Sequence, residues 1–137
     1  MKQARFTTLD AVRAYARAWN NLDVSCLEPL LADDVHYASQ WVFDEIDDKA
    51  RLVEYLTGKM DTVRESPGAK VWVEVGETRP YPMYPCEPGP CALVAQGNRD
   101  NARAVVLFEV EGGRIVRIDM CLVPSPETVH RTGEYPR

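Results

Sequence analysis

Two aromatic side chains one helical turn apart, Tyr15 and Trp19, carry hydrogen-bond donors on largely apolar bodies. A tyrosine hydroxyl held in an apolar pocket can donate to an oxygen on which negative charge develops, so Tyr15 is the first candidate for chemistry. Such a donor drives a reaction only if a proton acceptor faces it. His36 is the only mid-chain histidine and the natural acid–base group. Strand alternation works against it, because Val35, Tyr37 and Ser39 share one face while His36, Ala38 and Gln40 share the other. With the more apolar set facing inward, His36 points outward unless a bulge reverses the parity. Ser39 has no adjacent base, and an unassisted serine hydroxyl is barely ionised near neutral pH. Trp41 shares the face of Tyr37 and, with Phe43, is placed at a pocket mouth; Asp44 and Glu45 read as solvating the approach to a helix.

The four cysteines, Cys26, Cys86, Cys91 and Cys121, form no Cys-x-x-Cys pair, and His36 and His130 lie far apart. That spacing predicts no zinc site, and no cofactor is expected. Cys86 and Cys91 flank Glu-Pro-Gly-Pro and could close a small disulfide, although a reducing compartment favours thiols.

The elements that must position these groups begin with a helix. Leu9, Val12, Tyr15, Ala16, Trp19 and Leu22 recur at the spacing of one buried helical face, with Arg13 and Arg17 opposite. Thr7, three residues before Asp10, predicts a capping-box start. Asp23 can cap a second, short helix carrying Leu27, Leu30 and Leu31, whose regularity Pro29 limits. A short strand from Val35 to Phe43 leads to a third helix, starting at Asp47 or Asp48, with a stripe of Leu52, Val53, Leu56, Met60 and Val63.

The second half reads as strands: Val71 to Thr78, Cys91 to Asn98, Ala102 to Glu111 and Arg114 to Val123. Turns at Asn98-Arg99-Asp100-Asn101 and Gly112-Gly113 make the last three a meander. Alternation turns Ala104, Val106, Phe108 and Val110 inward, together with Val116, Ile118, Met120 and Leu122. Val105, Leu107, Ile115 and Cys121 then lie outside among Glu109, Arg117 and Asp119, a face too apolar to be wholly solvated. A second copy of the chain covering it, as a homodimer, is the simplest expectation. Residues 80 to 90 hold five of the ten prolines and cannot be regular sheet. This loop reads as a stiffened connection, a lid, or a Pro-x-x-Pro ligand. The tail from Pro124 is polar and expected to lie over the surface of one domain spanning residues 1 to 137.

Composition narrows the classes further. Hydrophobic residues at 45% and charged residues at 27% describe an ordinary globular chain. Sixteen Lys and Arg against 21 Asp and Glu give a net charge of −5, with no basic block, which disfavours nucleic acid as a partner. No apolar run reaches the roughly 20 residues of a membrane span, and Met1 to Thr8 holds no hydrophobic signal region. A cytoplasmic location is expected.

The stretch from Tyr15 to Asp23, Tyr-Ala-Arg-Ala-Trp-Asn-Asn-Leu-Asp, followed by Leu30-Leu31-Ala32-Asp33-Asp34-Val35, resembles the opening of nuclear-transport-factor-2-like proteins. That superfamily includes SnoaL-like polyketide cyclases, ketosteroid isomerases, scytalone dehydratases and limonene epoxide hydrolases. The resemblance runs over about residues 6 to 123, with Leu22 standing where the family usually places glycine. It implies an α+β cone: three N-terminal helices in a strongly curved, mostly antiparallel sheet, with a pocket at the open end.

Ketosteroid isomerases set an Asp base against an oxyanion hole of Tyr and protonated Asp. Tyr15 matches the family's tyrosine, but the base position falls at Ser39 and the second acidic position at Val106. Isomerase chemistry in that form is therefore rejected. The Asp-Arg-Asp set of the epoxide hydrolases needs inward carboxylates, whereas Arg99-Asp100 sits in a turn and Asp119 faces out. The expected pocket comprises Tyr15, Trp19, Tyr37, Ser39, Trp41, Tyr55, Val106, Phe108 and Met120. Two functions compete for it: a cofactor-free isomerase, cyclase or dehydratase acting on an apolar carbonyl compound, or a non-catalytic ligand-binding or interaction module.

Overall fold

A computed structural model describes residues 5–40, 45–79 and 88–137. Helix α1 covers Thr8–Asn21. Its capping box forms as the Thr7/Asp10 spacing predicts: Asp10 N–H donates to Thr7 Oγ1 at 3.1 Å, and Thr7 N–H donates to Asp10 Oδ2 at 2.8 Å. Four alanines, Ala11, Ala14, Ala16 and Ala18, are buried beside Val12, Tyr15 and Trp19, so little side-chain bulk separates the helix from the sheet. Leu22 ends α1 in the left-handed conformation at φ 52°. Glycine takes that conformation without a Cβ penalty, which gives a physical reason for the family's usual residue there.

The expected second helix is instead two consecutive 3₁₀ turns, Val24–Cys26 and Glu28–Leu30. Asp23 caps the first through Ser25 N–H at 2.9 Å. Pro29, which lacks a backbone donor, lies inside the second and excludes a continuous α-helix. Helix α2, Lys49–Arg64, starts from Asp48, whose side chain accepts from Arg51 N–H at 3.0 Å. It buries Leu52, Leu56 and Met60.

The described residues form six strands, β1 (Leu31–Ser39), β2 (Val71–Thr78), β3 (Gly89–Gln96), β4 (Ala102–Glu111), β5 (Arg114–Cys121) and β6 (His130–Glu134). They form one sheet in the order β1-β5-β4-β3-β2-β6. Only β1 and β5 pair in parallel; the other neighbours are antiparallel. The sheet is open, with β1 and β6 as its edges, so the cone is not a closed barrel. Gly112 and Gly113, both at positive φ, supply the turn between β4 and β5.

The main core lies between the helices and the inner sheet face, where Val71, Val73, Val75, Ala92, Val106 and Ile118 meet α1. One expected parity is reversed. Glu109 pairs with Arg117 but Val110 pairs with Ile115, leaving Val116 as an extra residue on β5. That irregularity sends Ile115 into the core at 0% exposure and leaves Val116 half-buried, the opposite of plain alternation. Leu122, expected inside, lies beyond the end of β5 and is 40% exposed.

The tail does more than cover the surface. Residues 126–128 form a 3₁₀ turn that places Val129 against Cys91, Leu93 and Val105 on the outer face. The chain then adds β6 to the edge of β2. At Gly76 on β2 an added Cβ would stand 2.6 Å from Val129 Cγ1, so the tail lies this close only because that residue has no side chain. Glu74, 2% exposed, accepts from Arg131 Nε at 2.8 Å, Gly133 N–H at 2.7 Å and Tyr135 Oη at 3.1 Å. Val105, part of the apolar outer face expected to need a second copy, is thus buried by the chain's own C-terminal residues. No helix among the described residues is long and apolar enough to cross a membrane.

Candidate functional site

A cavity of about 460 Å³ opens between α1, α2 and the inner face of the sheet. Small-molecule sites span roughly 300–1,000 Å³, so its size suits a modest organic ligand. Of the residues expected at a pocket, Tyr15, Trp19, Ser39, Tyr55 and Met120 line this cavity. Val63, Val71, Val94 and Ala104 complete its apolar wall.

Three expected residues stand behind that wall. Phe108 meets the Tyr15 ring edge-on at 5.2 Å, Tyr37 tilts against Tyr55 at 5.6 Å, and Val106 is fully buried in the core. They support lining side chains without lining the cavity themselves. Trp41 and Asp44 lie outside the described residues, as do Cys86 and most of the proline loop. His36 sits on the other face of β1, its Nε2 2.7 Å from Glu45 Oε2, and does not line the cavity. On the outer sheet face Arg117 pairs with Asp119 at 2.8 Å.

Tyr15 and Trp19 share a feature that packing alone does not explain. The Tyr15 hydroxyl and the Trp19 indole N–H are both buried, and neither is within hydrogen-bonding geometry of a partner among the described residues. Leaving such a donor unmatched costs about 1–3 kcal/mol. The two residues are neighbours on one face of α1, and both rings line the cavity. Burial raises the Tyr15 pKa well above the ordinary phenol range. Tyr37 is raised as well, chiefly by burial and then by the neighbouring Tyr15 and Tyr55 phenols. Tyr15 is therefore protonated near neutral pH, as a donor and not a base.

Sequence reading missed the polar rim formed by Lys59, Thr62, Gln96 and Arg103. Lys59 and Thr62 were open to detection, since they follow Tyr55 at the four- and seven-residue spacing of one helix face. Arg103 was not. Val94 pairs with Ala104 but Ala95 pairs with Ala102, so an extra residue enters β4 at Arg103. The bulge brings Arg103 to the cavity beside Ala104, although consecutive strand residues ordinarily face opposite ways. Among the described lining residues there is no Asp or Glu. No group of three or more His, Cys, Asp or Glu arranged to hold a metal occurs among the described residues. The described wall can therefore donate hydrogen bonds and enclose apolar surface, and none of its described residues presents a carboxylate to take a proton.

A shallower hollow along α2 shares Tyr55, Lys59 and Thr62 with the cavity and continues over exposed Arg51, Glu54 and Gly58. It is a groove on the solvent side of the helix and encloses nothing.

No family model and no curated protein matches the sequence. Solved structures do match the fold. An NTF2-like protein of unknown function from Cytophaga hutchinsonii is 16% identical with a TM-score of 0.54, covering 90% of this chain and 97% of its own. A SnoaL-like protein of unknown function from Burkholderia thailandensis is 14% identical with a TM-score of 0.56, covering 95% and 100%. A protein with a ketosteroid isomerase-like fold from Catenulispora acidiphila is 17% identical with a TM-score of 0.51, covering 84% and 86%. At these identities the likeness is one of fold.

Proposed function

We propose that this chain, a nuclear-transport-factor-2-like cone in its fold, binds a small, mostly apolar molecule bearing a carbonyl-type oxygen. The observation that carries the reading is the pair of buried donors, Tyr15 Oη and Trp19 Nε1, unmatched among the described residues on the wall of a mostly apolar cavity. A ligand oxygen accepting from either donor would remove a desolvation cost that the unliganded protein bears. Apolar wall residues would supply the rest of the affinity by burying ligand surface.

A catalytic reading has one point in its favour, since a protonated, desolvated tyrosine is the donor an enolate-like oxyanion requires. It lacks the base: Ser39 and Val106 stand at the matched acidic positions, and no described carboxylate lines the wall. Binding without turnover is the reading the geometry supports best. A homodimer stays part of the proposal, confined to the portion of the outer face that the tail leaves open.

Thermal-shift measurements with aromatic ketones, polyketide-like lactones, steroids and short fatty acids, run on the native chain and on Tyr15→Phe, test the reading. Stabilisation of the native chain by a carbonyl compound, weakened in Tyr15→Phe, is expected. If no compound shifts either protein, the cavity is not a binding site for this class.

A further inference from the structure

Lys70, Arg99, Arg131 and Arg137 gather at one end of the outer sheet face, although the chain as a whole carries a net −5. Trp72 on β2 points away from the core, between Val71 and Val73, which are buried in it. The Lys70 ammonium lies 4.0 Å from the centre of the Trp72 ring and the Arg99 guanidinium 4.6 Å. Arg137 stands 5.9 Å from the same ring, and Arg99 is also 4.4 Å from the ring of Tyr135. Backbone bonds fix the segments that carry these cations. Gly97 N–H donates to the Lys70 carbonyl at 2.7 Å, and Arg131 Nη2 donates to the Arg99 carbonyl at 3.2 Å. The neighbouring acids Glu74 and Asp100 both accept from Arg131. Lys70, Arg99 and Arg137 are exposed, and none has an ion-pair partner among the described residues. Lys70 and Arg99 thus hold like charges against one ring, closer together than the roughly 10 Å over which ordinary salt screens exposed charge. They repel each other, and both would gain from an anion.

We propose that this patch docks an acidic segment of a partner protein, a run of Asp or Glu side chains whose carboxylates reach Lys70, Arg99 and Arg137. The surface is separate from the cavity and does not depend on what the cavity binds. Its cations are displayed in the open, on a turn, at the start of a strand and on the tail, which suits charge carried on another surface better than a small molecule that needs enclosure. The Trp72 and Tyr135 rings are already engaged by the chain's own cations, which leaves less ring surface for stacking bases. The net −5 also opposes the dense phosphate charge of a nucleic acid more than a short run of carboxylates.

The test uses the whole chain and three probes: an acetylated hexaglutamate peptide, its hexaglutamine counterpart and hexathymidylate. Each is titrated at low salt while the backbone amide signals of Lys70, Gly97 and Arg99 are followed in proton–nitrogen correlation spectra. Hexaglutamate is expected to move these signals saturably and to bind about 10-fold tighter than hexaglutamine. Lys70→Met and Arg99→Gln should each weaken hexaglutamate binding several-fold, and added salt should weaken it in the native chain. Arg114→Gln removes an exposed cation from the turn between β4 and β5, at the other end of the sheet, and should leave binding unchanged. Melting curves matching the native chain's show that these surface variants fold. The docking assignment is overturned if hexaglutamine binds as well, if Arg114→Gln weakens binding as much as Arg99→Gln does, or if hexaglutamate fails to saturate by about 1 mM. Tighter binding of hexathymidylate than of hexaglutamate overturns it too, and makes the patch a nucleic-acid surface.

Discussion

Tyr15 illustrates a residue whose cost to the unliganded fold is also its use. Its hydroxyl is buried without a partner among the described residues, so Tyr15→Phe should leave the unliganded chain as stable or up to about 1–2 kcal/mol more stable. The same substitution should weaken binding of a carbonyl compound. Urea unfolding with and without ligand reads both effects, and a clear loss of stability in unliganded Tyr15→Phe would show that the hydroxyl has a partner after all. Leu22 offers a second test. Its left-handed backbone costs any residue with a Cβ about 1–2 kcal/mol, while its half-buried side chain returns part of that by packing on the core. Leu22→Ala keeps the strain and loses the packing, whereas Leu22→Gly loses the packing and the strain together. Leu22→Gly should therefore be more stable than Leu22→Ala by about 1 kcal/mol, a reversal of the order in a helix interior. The ordinary order would mean that the backbone is not left-handed there.

The elements differ in how openly the sequence announces them. Helix α1 is written in its apolar stripe and its Thr7/Asp10 cap, and α2 in Asp48 and the run from Leu52 to Met60. Strands β2 to β5 follow from β-branched runs parted by turn residues. Strand β6, His-Arg-Thr-Gly-Glu, shows no apolar alternation. What holds it is the carboxylate of Glu74, more than fifty residues earlier, and the side-chain-free surface at Gly76, neither of which local pattern can reveal. The two bulges escaped for the same reason, since an extra residue in a strand becomes visible only against its partner. They matter most at the site, where one of them brings Arg103 to the rim. Glu74→Gln keeps the shape and removes the charge that gathers Arg131, Gly133 and Tyr135. It should lower stability by about 1–2 kcal/mol and speed amide exchange in residues 130–134, first at the Gly133 N–H. Unchanged exchange there would show that backbone pairing with β2 suffices to hold the strand.

For the molecule as a whole, the tail changes what the outer sheet face can do. Cys91, Leu93 and Val105, the last of them part of the apolar surface that suggested a second copy, are covered from within by Val129. Exposed apolar side chains remain just past the end of β5, Leu122 at 40% and Val123 at 48%. A homodimer using that remainder should be dissociated by Leu122→Asp with Val123→Asp. Light scattering across concentration checks it, and a native chain that stays monomeric throughout would remove the dimer from the account. The cone and its cavity were legible in the sequence because they depend on long periodic runs and an opening motif. The place of Arg103 at the rim was not, because it depends on how distant strands register.

The most direct test of the binding reading watches the Trp19 indole N–H itself. In a proton–nitrogen correlation spectrum, with the Trp19 signal identified by its loss in Trp19→Phe, the chain is titrated with 2-acetylnaphthalene. A saturable downfield movement of that proton, the sign of a new hydrogen bond to a ligand oxygen, is the predicted result. If a ligand binds while the Trp19 proton and the surrounding α1 amides stay in place, the donors on the cavity wall are not what receives it, and the account is contradicted.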